Sequence, residues 1–468
     1  MERGDESVER FGYTQELRRS LGFLASFGIA FSYVSPVVGV YTLFGFGLAS
    51  GGPAYIWSLP LVVGGQLLVA LVFSEVAASY PLAGALYQWA RRLLGPRYGW
   101  FVGWTYGWAL VVTIAAVDFG AAPYLAALVG VAPTRGASVA LALALLGAHT
   151  AFNYVSVRGT ALVTSLGVVV EVVATVVIAG AIAATGLHHS PAVLLSRGAG
   201  HEPYALAFLT SSLAMAWIFF GFESAADVAE EVVHPGRHVP RAMLSSLLGA
   251  GIVTAIVVAA LILGASDLQE AAADPAQAIP LILGEHFGPG GLRLLVALVV
   301  FAFFSCAAAI QAAAARLVFS YARDGQVPGS AWLRQVSGHG VPARAILFTA
   351  AVGVLVTGAA YVDVGALNAN ALLVSYAVAG IYVSFQAVVL ARLVAGARGW
   401  RAEGEFRLGR WGGWIAAAAL AYGVSMLVNL CWPRPAEEPA GWLTLASVLI
   451  VAVPGAAIAL RRRPGQRG

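Results

Sequence analysis

The sequence predicts an all-α polytopic membrane protein with twelve transmembrane helices. Of its 468 residues, 59% are hydrophobic and only 11% are charged, whereas a soluble domain would be about 25% charged. Twelve apolar stretches each approach or exceed the roughly 20 residues that a helix needs to cross a bilayer. The basic residues are distributed very unequally between alternate loops, as expected of a chain that crosses a membrane repeatedly.

The first element is a charged and polar segment, residues 1–20, which predicts a cytoplasmic terminus rather than a cleavable signal peptide. The twelve predicted spans follow in order at residues 21–49, 54–78, 101–129, 138–156, 160–186, 204–233, 242–265, 290–321, 342–361, 364–391, 412–432 and 441–460. The polar stretch 266–288 is expected to form one amphipathic extracellular helix. Residues 461–468 are predicted to be a basic cytoplasmic tail.

Arginine is the only strongly basic residue type in the chain, and its positions orient the spans. If the amino terminus is cytoplasmic, the inner segments hold 23 of the 27 basic residues and the outer loops hold 4. The outer ones are Arg135, Arg197, Arg293 and Arg434. This asymmetry predicts that both termini are cytoplasmic and that the chain lies in the plasma (inner) membrane. The basic pI of 9.1 therefore does not indicate nucleic-acid binding.

Two of the spans, the first and the sixth, are interrupted near their middles, at residues 35–39 and 221–224. Proline lacks a backbone donor, and glycine relaxes the backbone. In lipid, freed backbone groups persist only where protein or a water-filled cavity satisfies them. A pair of broken helices in two halves of a chain therefore indicates a binding site near the middle of the membrane.

The spacing of the two breaks predicts an inverted repeat. The break in the sixth span lies five spans after the break in the first. Because five is an odd number, the two halves have opposite orientations in the membrane. The predicted units are a first five-helix repeat at 21–186, a second at 204–391 and two additional helices at 411–460.

Acidic side chains inside the spans are candidate functional groups, because charge is costly in a bilayer. Glu223 lies at the second break and is predicted to bind an ammonium group or to carry a proton; capping of the following half-helix is the alternative. Asp227 lies one turn further on the same face. Glu171 has no obvious neighbour of opposite charge, so we consider proton coupling and a hydrogen-bonded neutral acid equally. Asp118 is interpreted as structural.

Other polar and aromatic residues have structural alternatives that stay open at this point. The serines near the breaks could line a cavity or ligate a cation, or bond their own backbone. The aromatic residues before the second break could stack on an amine or only pack. Acids 230 and 231 are expected to form a gate or ion pairs near Arg237 and Arg241. His149 is interpreted as a packing histidine. Cys306 and Cys431 indicate neither a disulfide framework nor a metal site.

The full set of candidate residues follows from these arguments. The candidate substrate-binding residues are Ser32, Ser35, Pro36, Val37, Val38, Gly39, Trp217, Phe219, Phe220, Gly221, Phe222, Glu223, Ser224 and Ser305. The candidate coupling residues are Glu171, Glu223 and Asp227.

Three segments resemble the amino acid–polyamine–organocation (APC) superfamily, and most closely its amino acid/choline permeases. Residues 74–100 resemble the loop that follows the second span in that family. Residues 221–242 resemble its sixth span and following loop, and residues 316–325 resemble its motif after the eighth span. The three segments occur in the family's order, and the resemblance covers nearly the whole chain.

This resemblance implies the leucine-transporter fold, with substrate bound between the first and sixth helices. Backbone at residues 35–39 would hold a substrate carboxylate where one exists, and residues 220–224 would hold the amine end. Some proton-coupled relatives use a lysine in the fifth span in place of sodium. The chain contains no lysine, so that mechanism is excluded, and Glu171 lies near the matching position.

The expected function is therefore import of a small amine or amino acid by alternating access, with proton symport favoured over sodium symport or exchange. Candidate substrates resemble γ-aminobutyrate, ethanolamine, choline or a polyamine. An enzyme would need a cluster of histidine, cysteine or aspartate at a membrane face, which the sequence lacks. A channel or sensor is a further alternative.

No cofactor or nucleic-acid partner is expected, and the protein is expected to be a monomer or weak homo-oligomer surrounded by membrane lipid.

Overall fold

The computed structural model describes residues 8–132, 134–198, 203–359, 369–432 and 440–461. Within these ranges the regular structure is helical, and a single bridge between Leu21 and Val232 is the extent of β-pairing. Ten helical segments are long and apolar enough to cross a membrane, and two shorter apolar helices accompany them. The all-helical membrane class is confirmed, whereas the total of twelve spans stays a prediction.

The described residues of the amino-terminal half form seven α-helices, two of which make up the first predicted span. They are α1 (Phe23–Val34), α2 (Pro36–Gly51), α3 (Ser58–Ser79), α4 (Ala85–Leu94), α5 (Pro96–Val129), α6 (Arg135–Val155) and α7 (Val157–Thr185). Ser156 ends α6 and starts α7, because its hydroxyl accepts the backbone N–H groups of Arg158 and Gly159. Such a cap satisfies donors that a helix start leaves free.

Over the part of the carboxyl-terminal half that the structure describes there are eleven α-helices, several of them short. They are α8 (Tyr204–Ile218), α9 (Ser224–Asp227), α10 (Pro235–Gly264), α11 (Leu268–Ala273), α12 (Ala278–His286), α13 (Pro289–Arg323), α14 (Ser330–Leu333), α15 (Ala343–Ala359), α16 (Ala369–Ala397), α17 (Gly412–Cys431) and α18 (Ala440–Arg461). Proline begins α2, α5, α10 and α13, where its missing N–H is one that the helix would leave unpaired anyway.

Two of the predicted segments differ from the sequence-based expectation. The seventh span begins at Pro235 rather than at residue 242, because α10 accommodates Pro240 in its second turn. The predicted single helix at 266–288 is two short helices, α11 and α12, and Asp267 caps the first of them. The predicted start of the tenth span at 364, the end of the ninth at 361, and the terminal residues 1–7 and 462–468 lie outside the described residues.

The buried centre of the bundle is formed by the broken first span together with α5 and α16. In its most apolar stretch, 78% of the first span is buried, against 17% for the last helix, α18. The last helix, α18, therefore lies at the periphery of the bundle. The division into repeats at 21–186 and 204–391 stays a prediction.

Packing between the two halves positions the helix breaks. The helix α2 packs along α8, and α1 packs against α7, α10 and α13. The end of α8 therefore lies beside the start of α2, and the side chains of α5, α7 and α13 close around both breaks.

Candidate functional site

The first break lies at a single residue, Ser35, whose φ of 39° and ψ of 84° separate α1 from α2. Pro36 is the first residue of α2, a position that favours proline. The sequence placed the interruption over residues 35–39, but Val37, Val38 and Gly39 already form the first turn of α2. The break is sharper than predicted, and Pro36 starts the second half-helix.

Glu171, from the middle of α7, reaches this break. The hydroxyl of Ser35 donates to Glu171 Oε1 at 2.9 Å, and the backbone N–H of Val37 donates to Oε2 at 3.1 Å. All three residues are buried. A carboxylate at a helix amino terminus is stabilised by the free N–H groups and by the helix dipole. Glu171 is therefore part of the first break, which its position in the sequence did not indicate.

The second break covers the residues between the end of α8 at Ile218 and the start of α9 at Ser224. Gly221 has a φ of 105°, a backbone conformation that other residues rarely adopt. A side chain there would also overlap the ring of Tyr33 in α1. The Ser224 hydroxyl donates to the Gly221 carbonyl at 2.7 Å, so it holds the local turn.

Two acids meet one tyrosine beside the second break. The Tyr106 hydroxyl, on α5, lies 3.0 Å from Glu223 Oε1 and 2.9 Å from Asp227 Oδ2. Glu223 Oε2 accepts the Gly221 N–H at 2.9 Å, and its side chain makes no capping bond to α9. A hydroxyl has one proton and donates to one carboxylate at a time. Asp227 Oδ1 is buried without a hydrogen-bond partner, so this oxygen can accept a further hydrogen bond.

A small cavity lies between the two breaks, with room for about one water molecule. Its lining includes four predicted residues, Val38, Gly39, Trp217 and Phe220, and also Tyr33, Val34, Thr113, Val117, Cys306 and Ile310. The Phe220 ring meets those of Tyr33 and Trp217 edge to face, with centroids 6.1 and 5.6 Å apart. The structure is thus closed around the site, and a solute enters only if these helices separate.

The two remaining predicted serines lie together, one on each of two helices. Ser32 Oγ of α1 lies 3.1 Å from Ser305 Oγ of α13 and donates to the Thr164 carbonyl at 2.8 Å. Ser305 Oγ also lies 3.3 Å from the Val163 carbonyl. The cluster therefore combines hydroxyl and carbonyl oxygens, which are ligands that hard cations accept. Among the residues that the structure describes, no group of three or more histidine, cysteine or acidic side chains could hold a metal ion.

Asp118 and His149 form a separate buried pair. His149 Nε2 lies 3.2 Å from Asp118 Oδ2, and its Nδ1 lies 3.0 Å from the side-chain oxygen of Gln311. Gln311 in turn donates to Thr150 at 2.7 Å. This network joins α5, α6 and α13, which agrees with the structural interpretation of both residues.

Acids 230 and 231 form ion pairs, but not with the arginines expected from sequence proximity. Arg316 binds Glu231 through two hydrogen bonds of 2.7 and 3.0 Å. Arg323 binds Glu230 through two of 2.8 Å. Both arginines come from α13 rather than from the start of α10, which contains residues 237 and 241. The expectation of ion pairs was right and the expected partners were wrong, because α13 packs across this segment.

The amino-terminal segment closes this same end of the bundle. The Tyr13 hydroxyl donates to Asp324 at 2.8 Å, and Arg323 lies over the Tyr13 ring at 3.8 Å. Arg91 also contacts Asp324. Burial, and then the neighbouring Asp324 carboxylate, raise the pKa of Tyr13, so its hydroxyl stays a donor. Residues 8–21 therefore belong to the packed structure rather than forming a loose tail.

Not every predicted residue faces the site. Phe222 packs between the rings of Phe73 and Phe385, with centroids 6.2 and 5.6 Å away. Phe219 is fully buried and does not line the cavity. Conversely, Tyr106, which lies within hydrogen-bond distance of both acids, was not among the predicted residues. A tyrosine hydroxyl near the start of the predicted span 101–129 was the signal that could have drawn attention to it.

The comparisons with known proteins agree with this architecture. A protein-family model described as amino acid permease matches residues 21–454. The chain is 26% identical to amino-acid permease BAT1 of Arabidopsis thaliana over 93% of its length and 90% of that protein. It is 25% identical to a GABA-specific permease of Saccharomyces cerevisiae (92% and 78% covered) and to thiamine transporter thi9 of Schizosaccharomyces pombe (91% and 78% covered).

Proposed function

The chain belongs to the amino acid permease family, and from this premise we propose that it is a secondary active transporter that imports a small amine-bearing solute by alternating access. The observation that carries the proposal is the pair of helix breaks packed against each other, with three buried acids around them. Broken helices at adjoining positions are how membrane transporters present backbone and side chains to a solute.

The charge balance favours a substrate with a positively charged amine. Glu171, Glu223 and Asp227 are fully buried, and the structure shows no ion pair for any of them within its described ranges. The buried Arg316 does not balance these three acids, because it is paired with Glu231. A solute ammonium bound beside Glu223 and Asp227 would neutralise charge that the protein itself leaves unbalanced.

The proposed substrates are those that the sequence indicated: γ-aminobutyrate, ethanolamine, choline or a polyamine. Two of the relatives are named for γ-aminobutyrate and for thiamine. γ-Aminobutyrate carries a carboxylate and thiamine does not. Membership of the family therefore does not decide whether the substrate carries a carboxylate. In the proposed complex Glu223 binds the amine and Trp217 and Phe220 cover it.

Proton symport is the proposed coupling mode, with Glu171 or Glu223 as the proton carrier. A proton on Glu171 would weaken its contacts with Ser35 and Val37 and so release the first break. Sodium symport is the alternative, and the oxygen cluster of Ser32 and Ser305 favours it. Amine exchange is a further alternative.

We place the protein in the plasma (inner) membrane with both termini cytoplasmic, as a monomer or weak homo-oligomer.

The test is uptake of radiolabelled amines by purified protein in proteoliposomes. We expect saturable uptake that accelerates when the outside is made more acidic than the inside. A sodium gradient that drives uptake without any pH gradient would favour the alternative. Flux that never saturates would contradict a transporter and indicate a channel. A thermal-shift screen of amines and amino acids against the same protein selects the substrates to test, because a bound ligand raises stability.

A further inference from the structure

The amino end of α2 already holds a carboxylate, and it belongs to the protein. Glu171 accepts the Val37 N–H at 3.1 Å and the Ser35 hydroxyl at 2.9 Å, with all three residues excluded from solvent. A free helix amino terminus is a ready anion site, because its first N–H groups lack partners and the dipole favours negative charge. Here that site is filled from within the chain by a residue of α7.

The other donors in the first turn of α2 are also in use. Pro36 has no N–H. The Val38 N–H lies 3.4 Å from Ser35 Oγ, and the Gly39 N–H donates to the Ser35 carbonyl at 3.0 Å. No backbone donor at this end of α2 is left for a carboxylate carried by a solute, and such a group would also meet the negative charge of Glu171.

The rest of the enclosed space offers a carboxylate no positive charge. No residue that lines the cavity is basic, and its polar side chains, those of Tyr33, Thr113, Trp217 and Cys306, are uncharged. The nearest charged groups at the second break, Glu223 and Asp227, are acids, and the buried Asp227 Oδ1 lacks a partner. A solute carboxylate would be desolvated here without a compensating charge, which costs far more than a neutral group would.

We propose that Glu171 occupies the place of a substrate carboxylate, so that this transporter selects amines and amino alcohols over the corresponding amino acids. The inference rests on the proposed function and narrows its substrate class. It makes Glu171 a specificity-determining residue: its carboxylate fills the anion site at the first break, and the acids of the second break bind the amine.

The experiment compares matched solutes that differ only in replacing the carboxylate by a hydroxymethyl group. Two such pairs are γ-aminobutyrate with 4-aminobutan-1-ol, and glycine with ethanolamine. Wild-type protein in proteoliposomes is expected to take up each amino alcohol with at least tenfold higher kcat/KM than its amino acid. Amino acids taken up as well as or better than their partners would overturn the inference while supporting the proposed function. No uptake of any amine or amino acid would overturn both.

Variants at position 171 test the cause of this preference through binding rather than through uptake. Glu171→Ala frees the Val37 N–H, and we expect the affinity for γ-aminobutyrate relative to 4-aminobutan-1-ol to rise at least tenfold in thermal-shift titrations. Glu171→Gln keeps an acceptor on that N–H while removing the charge, so a smaller rise is expected. Asp118→Asn, a buried acid paired elsewhere, serves as the control. An unchanged ratio in Glu171→Ala would overturn the inference, and so would an equal rise in Asp118→Asn.

Discussion

Three fully buried acids around the two helix breaks define the chemistry of the molecule at the scale of single residues. Their hydrogen-bond donors are uncharged: Ser35 and Val37 donate to Glu171, Gly221 donates to Glu223, and the Tyr106 hydroxyl donates to either Glu223 or Asp227. Neutral donors orient a carboxylate without cancelling its charge. These acids therefore stay available to a proton or an amine, unlike Glu231, which Arg316 neutralises.

The first prediction concerns the proposed amine site. Glu223→Gln should lower the kcat/KM of amine uptake at least tenfold, because a hydrogen bond between charged partners contributes about 1.5–3 kcal/mol and the amide removes the charge. The measurement is initial uptake rate against substrate concentration in proteoliposomes. Glu285→Gln, at an exposed acid of α12 that contacts Ser266, should stay within about twofold of wild type. Uptake and affinity near those of wild type in Glu223→Gln would exclude it from the site.

The second prediction concerns coupling. Glu171→Gln should retain part of the uptake but lose its acceleration by an inward proton gradient, because the amide cannot bind and release a proton. The measurement compares uptake rates with and without an imposed pH gradient in the same vesicle preparation. A pH response equal to that of wild type would show that Glu171 has only a structural role.

At the scale of elements, close contact between the two broken spans decides the shape of the site. Gly39 in the first turn of α2 faces Ile218 at the end of α8, and a methyl group on Gly39 would overlap Cγ1 of that side chain. The helices approach this closely because glycine has no side chain. The packing of Gly39 against Ile218 thereby brings the two breaks together. The backbone conformations of Ser35 and Gly221 produce the breaks themselves.

The third prediction follows from that contact. Gly39→Ala should destabilise the protein by about 1–3 kcal/mol, the usual cost of inserting a methyl group into a packed core, and should reduce uptake. Thermal unfolding in detergent measures the first effect. Gly64→Ala is the matched control, since a side chain there meets nothing within 4 Å. The losses in Gly39→Ala and Ile218→Ala should be less than additive in the double variant, because shortening Ile218 removes the overlap with the new methyl group. No loss in Gly39→Ala itself would refute the close contact.

The fourth prediction concerns the connection between α13 and the segment after α9. Arg316→Met removes one partner of a fully buried ion pair and leaves Glu231 unpaired, which should cost about 3–5 kcal/mol. The double variant Arg316→Met with Glu231→Leu should be more stable than the single one, because no charge is left buried alone. Unfolding midpoints of the three proteins test this. A single variant as stable as wild type would mean that the pair contributes nothing to the closed structure.

At the scale of the whole molecule, the arginine asymmetry and the closed end of the bundle agree. The amino-terminal segment, Arg91, Arg316 and Arg323 lie at one end, where the ion pairs and the Tyr13 contacts hold α4, α13 and the segment after α9 together. In the proposed orientation this end is cytoplasmic. Alternating access then requires these polar contacts to separate when the solute is released inward.

The fifth prediction tests that orientation. Green fluorescent protein fused after Gly468 should fluoresce, and alkaline phosphatase fused there should be inactive, because both termini are expected to be cytoplasmic. Alkaline phosphatase inserted within residues 187–198, between α7 and α8, should be active. Active phosphatase at the carboxyl terminus would mean that this terminus lies outside the cytoplasm and would contradict the predicted orientation.

Local and compositional features could be predicted from the sequence. The membrane class followed from hydropathy. Both breaks followed from residues with special backbone behaviour, Pro36 and Gly221, and Glu223 was recognised because charge inside a span is rare. Each of these signals lies within a few consecutive residues, so no knowledge of packing was needed.

The sequence by itself determined that this chain spans a membrane, where its helices are interrupted and which acids they carry, because these depend on short-range backbone chemistry and on transfer free energy. Only the tertiary structure decided which groups meet. Glu171 contacts Val37 from 134 positions away, Tyr106 reaches Glu223 across 117, and Glu231 pairs with Arg316 across 85. Such pairs depend on how apolar helices rotate and pack against one another, and since the apolar faces of these helices look alike in sequence, their partners could not be read from it.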